Sequence, residues 1–160
     1  MNKRILLQKV IAKLTEELAV YFRAAQFSRA EATHESSRAE SKYDTRGLEA
    51  SYLARGQSRQ AAEIESAIAE FQKLPVKKLG PEDAIELGAL VELEHGEDPS
   101  SFYLIGPRAG GTEVVHDKKE ILVITPQSPL GEQLLGKRQG ERLPLTLGGT
   151  RQPARIVSVA

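Results

Sequence analysis

The sequence predicts an α+β protein: an N-terminal antiparallel α-helical coiled-coil hairpin followed by an antiparallel β domain with one short helix. Three observations carry that expectation. The first half repeats its apolar residues in alternating steps of four and three, a helical seam. The second half breaks into short β-type runs separated by glycine- and proline-rich turns. Within it, "SPLGEQLLGKRQGERL" at 128–143 reads as a capped helix, its stop and a turn into a strand.

The seam begins at Leu7 and runs through Ile11, Leu14, Leu18, Tyr21, Ala25, Ser28 and Ala32. A second run, Ala50, Ala54, Gln57, Ala61, Ile64, Ile68 and Phe71, keeps the same alternation. Large apolar residues lie toward the outer ends of the pair, and the seams fade to Ala, Ser and Gln toward the middle. Two antiparallel helices joined near residues 41–47 would therefore be anchored at the base and thin at the tip. About 25 residues of helix would project on the order of 40 Å. Half of a helical bundle, or an intermolecular coiled coil, would show the same periodicity.

"KLPVKKLGPEDAIELG" breaks the seam with two prolines and two glycines. The expected organisation is a helical domain at 1–74, a linker at 75–86 and a β domain at 87–160. Strand-type runs are "ALVEL" (89–93), "SFYLIG" (101–106), "TEVVH" (112–116), "EILVITP" (120–126), "ERLPLTL" (141–147) and "ARIVSV" (154–159). The short helix should lie across one sheet face. Ser128 can accept a hydrogen bond from an otherwise unpaired backbone N–H, and Pro129 pre-sets φ in the first turn. Leu130, Leu134 and Leu135 would bury one side, and Gly136 can take the left-handed terminating conformation.

Composition excludes several classes. Acidic and basic residues balance at 22 each, so global charge does not select nucleic acid or membrane. Cysteine is absent, which removes disulfides, thiolate metal sites and a cysteine nucleophile. His34, His95 and His116 lack metal-ligand spacing. The N-terminus lacks the apolar core of a signal peptide, and no stretch approaches the roughly 18 apolar residues that span a bilayer. A soluble cytoplasmic protein is expected. With no nucleophile–base pair and no phosphate loop, the chain is not expected to be an enzyme by itself.

The two halves together resemble the bacterial Gre transcript-cleavage factors, densest at "ITPQSPLGEQLLGKRQGERLPL", with "ELGALVELEH" and "GGTRQPARIVSV" resembling the first strand and final hairpin of the family's C-terminal domain. The resemblance implies an FKBP-like topology for that domain and RNA polymerase as partner. The β domain would dock at the rim of the polymerase secondary channel, with Ser128, Pro129 and Leu130 in the docking surface. The hairpin would reach down the channel toward the active site, and Tyr52 at its tip would be a further partner contact, near the nascent RNA 3′ end. A cap role for Ser128 and Pro129 is compatible with docking. The resemblance brings no cofactor of the chain's own, only Mg²⁺ shared with the polymerase, and a monomer is expected.

The tip stretch "THESSRAESKYDTRGLEASYLARGQ" at 33–57 holds the acids Glu35, Glu40, Asp44 and Glu49. In cleavage-competent members an Asp and a Glu three residues later help hold a second Mg²⁺, a hard cation suited to carboxylate oxygens. Here Glu49 lies five residues after Asp44, and position 47, where that Glu would fall, is Gly. If Tyr52 matches the family's Tyr after the acids, the register carries an extra residue around "TRGL". Asp44 and Glu49 are the candidate metal-positioning pair; ordinary solvated charges are the alternative. Tyr43 and Tyr52 would stack on a base or pack under the turn. Three functions follow: cleavage stimulation, channel occupancy that inhibits without cleavage, and prolyl isomerisation or chaperoning by the β domain. The absence of Trp and the presence of only four Phe weigh against the last.

Overall fold

The structure, a computed structural model, describes residues 1–34, 45–96, 98–147 and 150–160, and of 145–147 and 150–152 only the backbone. It forms two compact units: Ala12–Ala69, and Met1–Ile11 together with Glu70–Ala160.

The first unit is helical, drawn from α1 (Lys3–Thr33) and α2 (Arg46–Lys73). Leu14, Leu18, Tyr21, Ala25, Ser28 and Ala32 are all buried or half-buried, as are Ala50, Ala54, Gln57, Ala61, Ile64 and Ile68, so the anticipated seam is the buried stripe. The direction of pairing shows in two grooves between the helices. Thr15, Leu18, Ala19, Phe22 and Arg23 line one with Glu65, and Arg29, Ala32 and Thr33 line the other with Ser51, Ala54, Arg55 and Ser58. Rising numbers on α1 meet falling numbers on α2, which is antiparallel. The seam carries one polar layer without full satisfaction: Ser28 is buried, and Gln57 Oε1 is enclosed with no hydrogen-bond donor.

The second unit is built on a six-stranded sheet of β1 (Leu90–His95), β2 (Ser101–Ile105), β3 (Glu113–His116), β4 (Lys119–Ile124), β5 (Arg142–Leu147) and β6 (Thr150–Val159). All six expected strands form, in the spatial order β3-β4-β2-β1-β6-β5. Neighbours are antiparallel except β2 and β4, which run parallel from Phe102↔Ile121 to Ile105↔Ile124, so the sheet is mixed. The hairpin between β3 and β4 turns on Asp117 (φ 51°) and Lys118 (φ 62°), the two consecutive left-handed residues of a type I′ turn, here without glycine.

Period-two alternation sends Val91, Leu93, Ile105, Ile124, Leu143, Ala154 and Ile156 to one face, where they enclose Leu134 of α3 (Pro129–Leu134). Ile85, at the end of the 75–86 stretch, joins the same core; its N–H donates to Lys137 O (2.7 Å) and its carbonyl accepts from Gly136 N (2.9 Å), fastening the exit of α3. Part of the other face is covered by the start of α1 and the end of α2. Phe71 packs so closely over Gly106 that a Cβ there would lie 2.7 Å from both Phe71 Cζ and Val123 Cγ1. Lys9 Nζ donates to Val115 O (2.8 Å) on edge strand β3, and Lys3 Nζ to Ala160 O (2.9 Å). Burial holds the Lys3 ammonium pKa below its ordinary value, the nearby Glu86 opposing that shift.

Candidate partner-docking surface

The α3 region is fixed by its own sequence. Ser128 has extended backbone (φ −70°, ψ 152°), and its Oγ accepts from Gly131 N (3.0 Å) while donating to Thr125 O (2.7 Å). The hydroxyl is thereby used twice, which makes Ser128 the N-cap its position suggested. Gly131 is required: a Cβ there would lie 2.0 Å from Thr125 O, so only glycine lets the first turn pack against that carbonyl. Gly136 closes the segment at φ 78°, the left-handed conformation expected of it.

What this segment offers a partner follows from burial. Ser128 is half-buried, Leu130 is half-buried against the core, and Pro129 is exposed. Beside Pro129 stand the exposed Glu132 and Gln133, the latter donating from Nε2 to Pro129 O (3.1 Å). In the sequence Glu132 falls on the helical side opposite Leu130 and Leu134, and Gln133 flanks the buried side.

At the far end of the helical unit, Glu49 stands exposed in the first turn of α2, where a carboxylate complements the positive end of the helix dipole. Thr45 Oγ1 donates to Glu49 Oε1 (2.9 Å), and Glu49 N donates to Thr45 O (2.9 Å). Asp44, the other acid of the candidate pair, lies outside the described residues, as do Glu35, Glu40 and Tyr43. Among the described residues no group of three or more His, Asp or Glu could hold a metal ion. Glu49 alone suits Mg²⁺ in donor type, with one oxygen engaged by Thr45; such a ligand serves only where a partner completes the shell.

Tyr52 is 61% exposed, with the Arg55 guanidinium 5.8 Å from its ring centroid. Leu48 (56%) and Leu53 (55%) are exposed on the same stretch of α2, off the Ala50–Ala54 seam. The sequence signal for these two leucines is their absence from the seam. This end of α2 thus presents apolar and aromatic side chains beside a helix-starting carboxylate. No helix among the described residues is long and apolar enough to cross a membrane.

Fold and surfaces together define an α+β chain with an antiparallel helical pair, a mixed sheet and a Ser-Pro-capped helix. Known structures it is similar to include the following transcription factors. GreA factor homolog 1 (Gfh1) of Thermus thermophilus is 23% identical over 94% of both chains, with a TM-score of 0.40. Thermus aquaticus Gfh1 is 23% identical over 95% of this chain and 94% of its own, at 0.41. The prokaryotic transcription elongation factor GreA/GreB from Nitrosomonas europaea is 20% identical over 60% of this chain and 78% of its own, at 0.38. No protein-family model matches the chain, and no curated protein does.

Proposed function

We propose that this chain is a Gre-like transcription elongation factor that binds RNA polymerase. The carrying observation is the segment most like the family, "ITPQSPLGEQLLGKRQGERLPL". It folds as the last residue of strand β4, the Ser128-capped α3, a glycine stop and the start of strand β5, with Pro129 left exposed. In this reading the sheet unit docks at the secondary-channel rim through Pro129, Ser128 and Leu130, and the far end of the helices points toward the active site. Asp44 and Glu49 would hold Mg²⁺ there jointly with polymerase carboxylates. The metal would supply an activated water for attack on the RNA phosphodiester, and the polymerase would perform the cleavage. The protein would act in the cytoplasm as a monomer, meeting the nascent RNA 3′ end only within the complex.

A second reading has a specific observation behind it. Glu49 is committed to Thr45 at the start of α2 and lies five residues from Asp44, which suits a channel-occupying regulator that stimulates no cleavage. One experiment separates the two. A backtracked elongation complex with Mg²⁺ is incubated with wild type, Asp44→Ala and Glu49→Ala, and release of 3′ RNA fragments is followed beside polymerase binding. Cleavage lost in both variants supports the metal-positioning role. Binding without cleavage supports the occupancy role. Absence of binding overturns both, and undiminished binding by a Pro129→Asp variant removes α3 from the dock.

A further inference from the structure

The sheet face turned away from α3 carries a charged feature at its β1–β6–β5 corner that no step of the polymerase reading uses. Arg142 on β5 and Arg155 on β6 are direct register partners across an antiparallel pair, and Arg155 is in turn the register partner of Glu94 on β1. All three side chains are exposed. Two like charges directly opposite one another weaken a sheet. No ion pair among the described residues relieves this one. Alternation sets these side chains opposite Leu143 and Ala154, which belong to the core around Leu134.

Between them lies a groove of about 190 Å³ lined by Glu94, Gly96, Arg142, Pro153, Ala154 and Arg155. Pro153, which lines it, is the register partner of Pro144, and both rings are exposed. Pro144 supplies no N–H to the open edge of β5, so a partner strand cannot extend the sheet regularly there. What remains is side-chain recognition: two planar guanidinium forks, each matched to a carboxylate, beside an apolar step.

We propose that this corner is a second docking surface, taking a carboxylate-bearing segment of a partner protein. The inference does not rest on the polymerase reading. Nucleic acid is the poorer fit. A phosphate backbone binds through several cations along its path, whereas two described ones, Arg142 and Arg155, line this groove; repulsion by Glu94 and, two residues before it on the same strand face, Glu92 acts on carboxylate and phosphate alike. Glu92 is itself held by Ser158 Oγ (2.9 Å).

The test uses the full chain and a fluorescein-labelled peptide of alternating glutamate and leucine, read by anisotropy. The Arg142→Ala/Arg155→Ala double variant should bind it about tenfold more weakly, the scale of losing an arginine anchor. Glu94→Gln should bind it more tightly. Arg142→Thr, which removes the like-charge apposition, should raise the urea midpoint of the free protein, and a cooperative urea transition of the double variant shows that its own sheet is intact. Failure of the wild type to bind, or equal binding by the double variant, overturns the proposal. So does an equally strong response to a lysine–leucine peptide, and tighter binding of single-stranded DNA would reassign the surface to nucleic acid.

Discussion

The two units bury different kinds of side chain. The sheet encloses Leu93, Ile105, Leu134 and Ile156 with no exposure at all, whereas the middle of the helical seam is filled by Ala25, Ser28, Ala54 and Ala61. A buried Leu or Ile contributes about 1.5–3 kcal/mol over its exposed state, and an Ala far less. The sheet unit is therefore held by packing and the helical unit by propensity plus a thin stripe, so helical opening is expected at lower free energy than unfolding of the sheet.

The largest expected effect tests the sheet side. Leu134→Ala empties the site under α3 and should destabilise by about 3 kcal/mol, the usual range for a fully buried leucine. Chemical denaturation followed by circular dichroism measures it; a loss below about 1 kcal/mol would mean α3 is an accessory to the sheet and not part of its core. Next comes Gly131→Ala, whose methyl would lie 2.0 Å from Thr125 O. Overpacking of that kind costs about 1–3 kcal/mol. It should also weaken polymerase binding if α3 is the dock, because the helix start must move.

The helical side makes the opposite prediction. Gly56 sits inside α2, has no left-handed φ, and an added Cβ would meet nothing within 4 Å. Gly56→Ala should therefore stabilise the helical unit by about 1 kcal/mol. Amide hydrogen exchange along α2 is the readout, and slower exchange confined to that unit would sharpen the contrast. Unchanged or faster exchange would show that the glycine serves close approach or bending instead.

The difference between the units also explains what could be read in advance. Seams with a 3.5-residue repeat and strands with a two-residue repeat are local signals, so residues such as Leu14, Ala61, Val91 and Ile156 announce their burial. The Ser128 cap and the Gly136 stop were equally local. Pairing is not local: nothing in "SFYLIG" or "EILVITP" tells β2 to run parallel to β4, because the choice depends on how the intervening β3 hairpin folds back. Nor does the 75–86 stretch reveal that Ile85 bonds to Gly136 and Lys137, since that pairing spans some fifty residues. At the candidate site, the acids were visible but their commitments were not. The engagement of Glu49 by Thr45 arises only once α2 starts at Arg46.

The smallest effect concerns the turn after α3, where the sheet unit relies on a surface charge. Glu141 accepts at Oε1 from Arg138 N (2.9 Å) and meets Lys137 Nζ at Oε2 (3.2 Å). The Lys137 hydrogen bond first, and the Arg138 amide second, hold its carboxyl pKa below the ordinary carboxylate value. A carboxyl with a depressed folded pKa contributes stability that is fully present above its unfolded pKa and is lost as pH falls through the folded one. Glu141→Gln should therefore be slightly less stable than wild type at neutral pH, with the two converging below the carboxylate range. Because the group is exposed, the gap should also shrink in high salt. Urea midpoints across acid pH, at low and high ionic strength, decide it. A gap that persists unchanged into acid would assign the role of Glu141 to turn geometry, with the amide hydrogen bond surviving in the glutamine, and would leave charge no part in closing α3 onto β5.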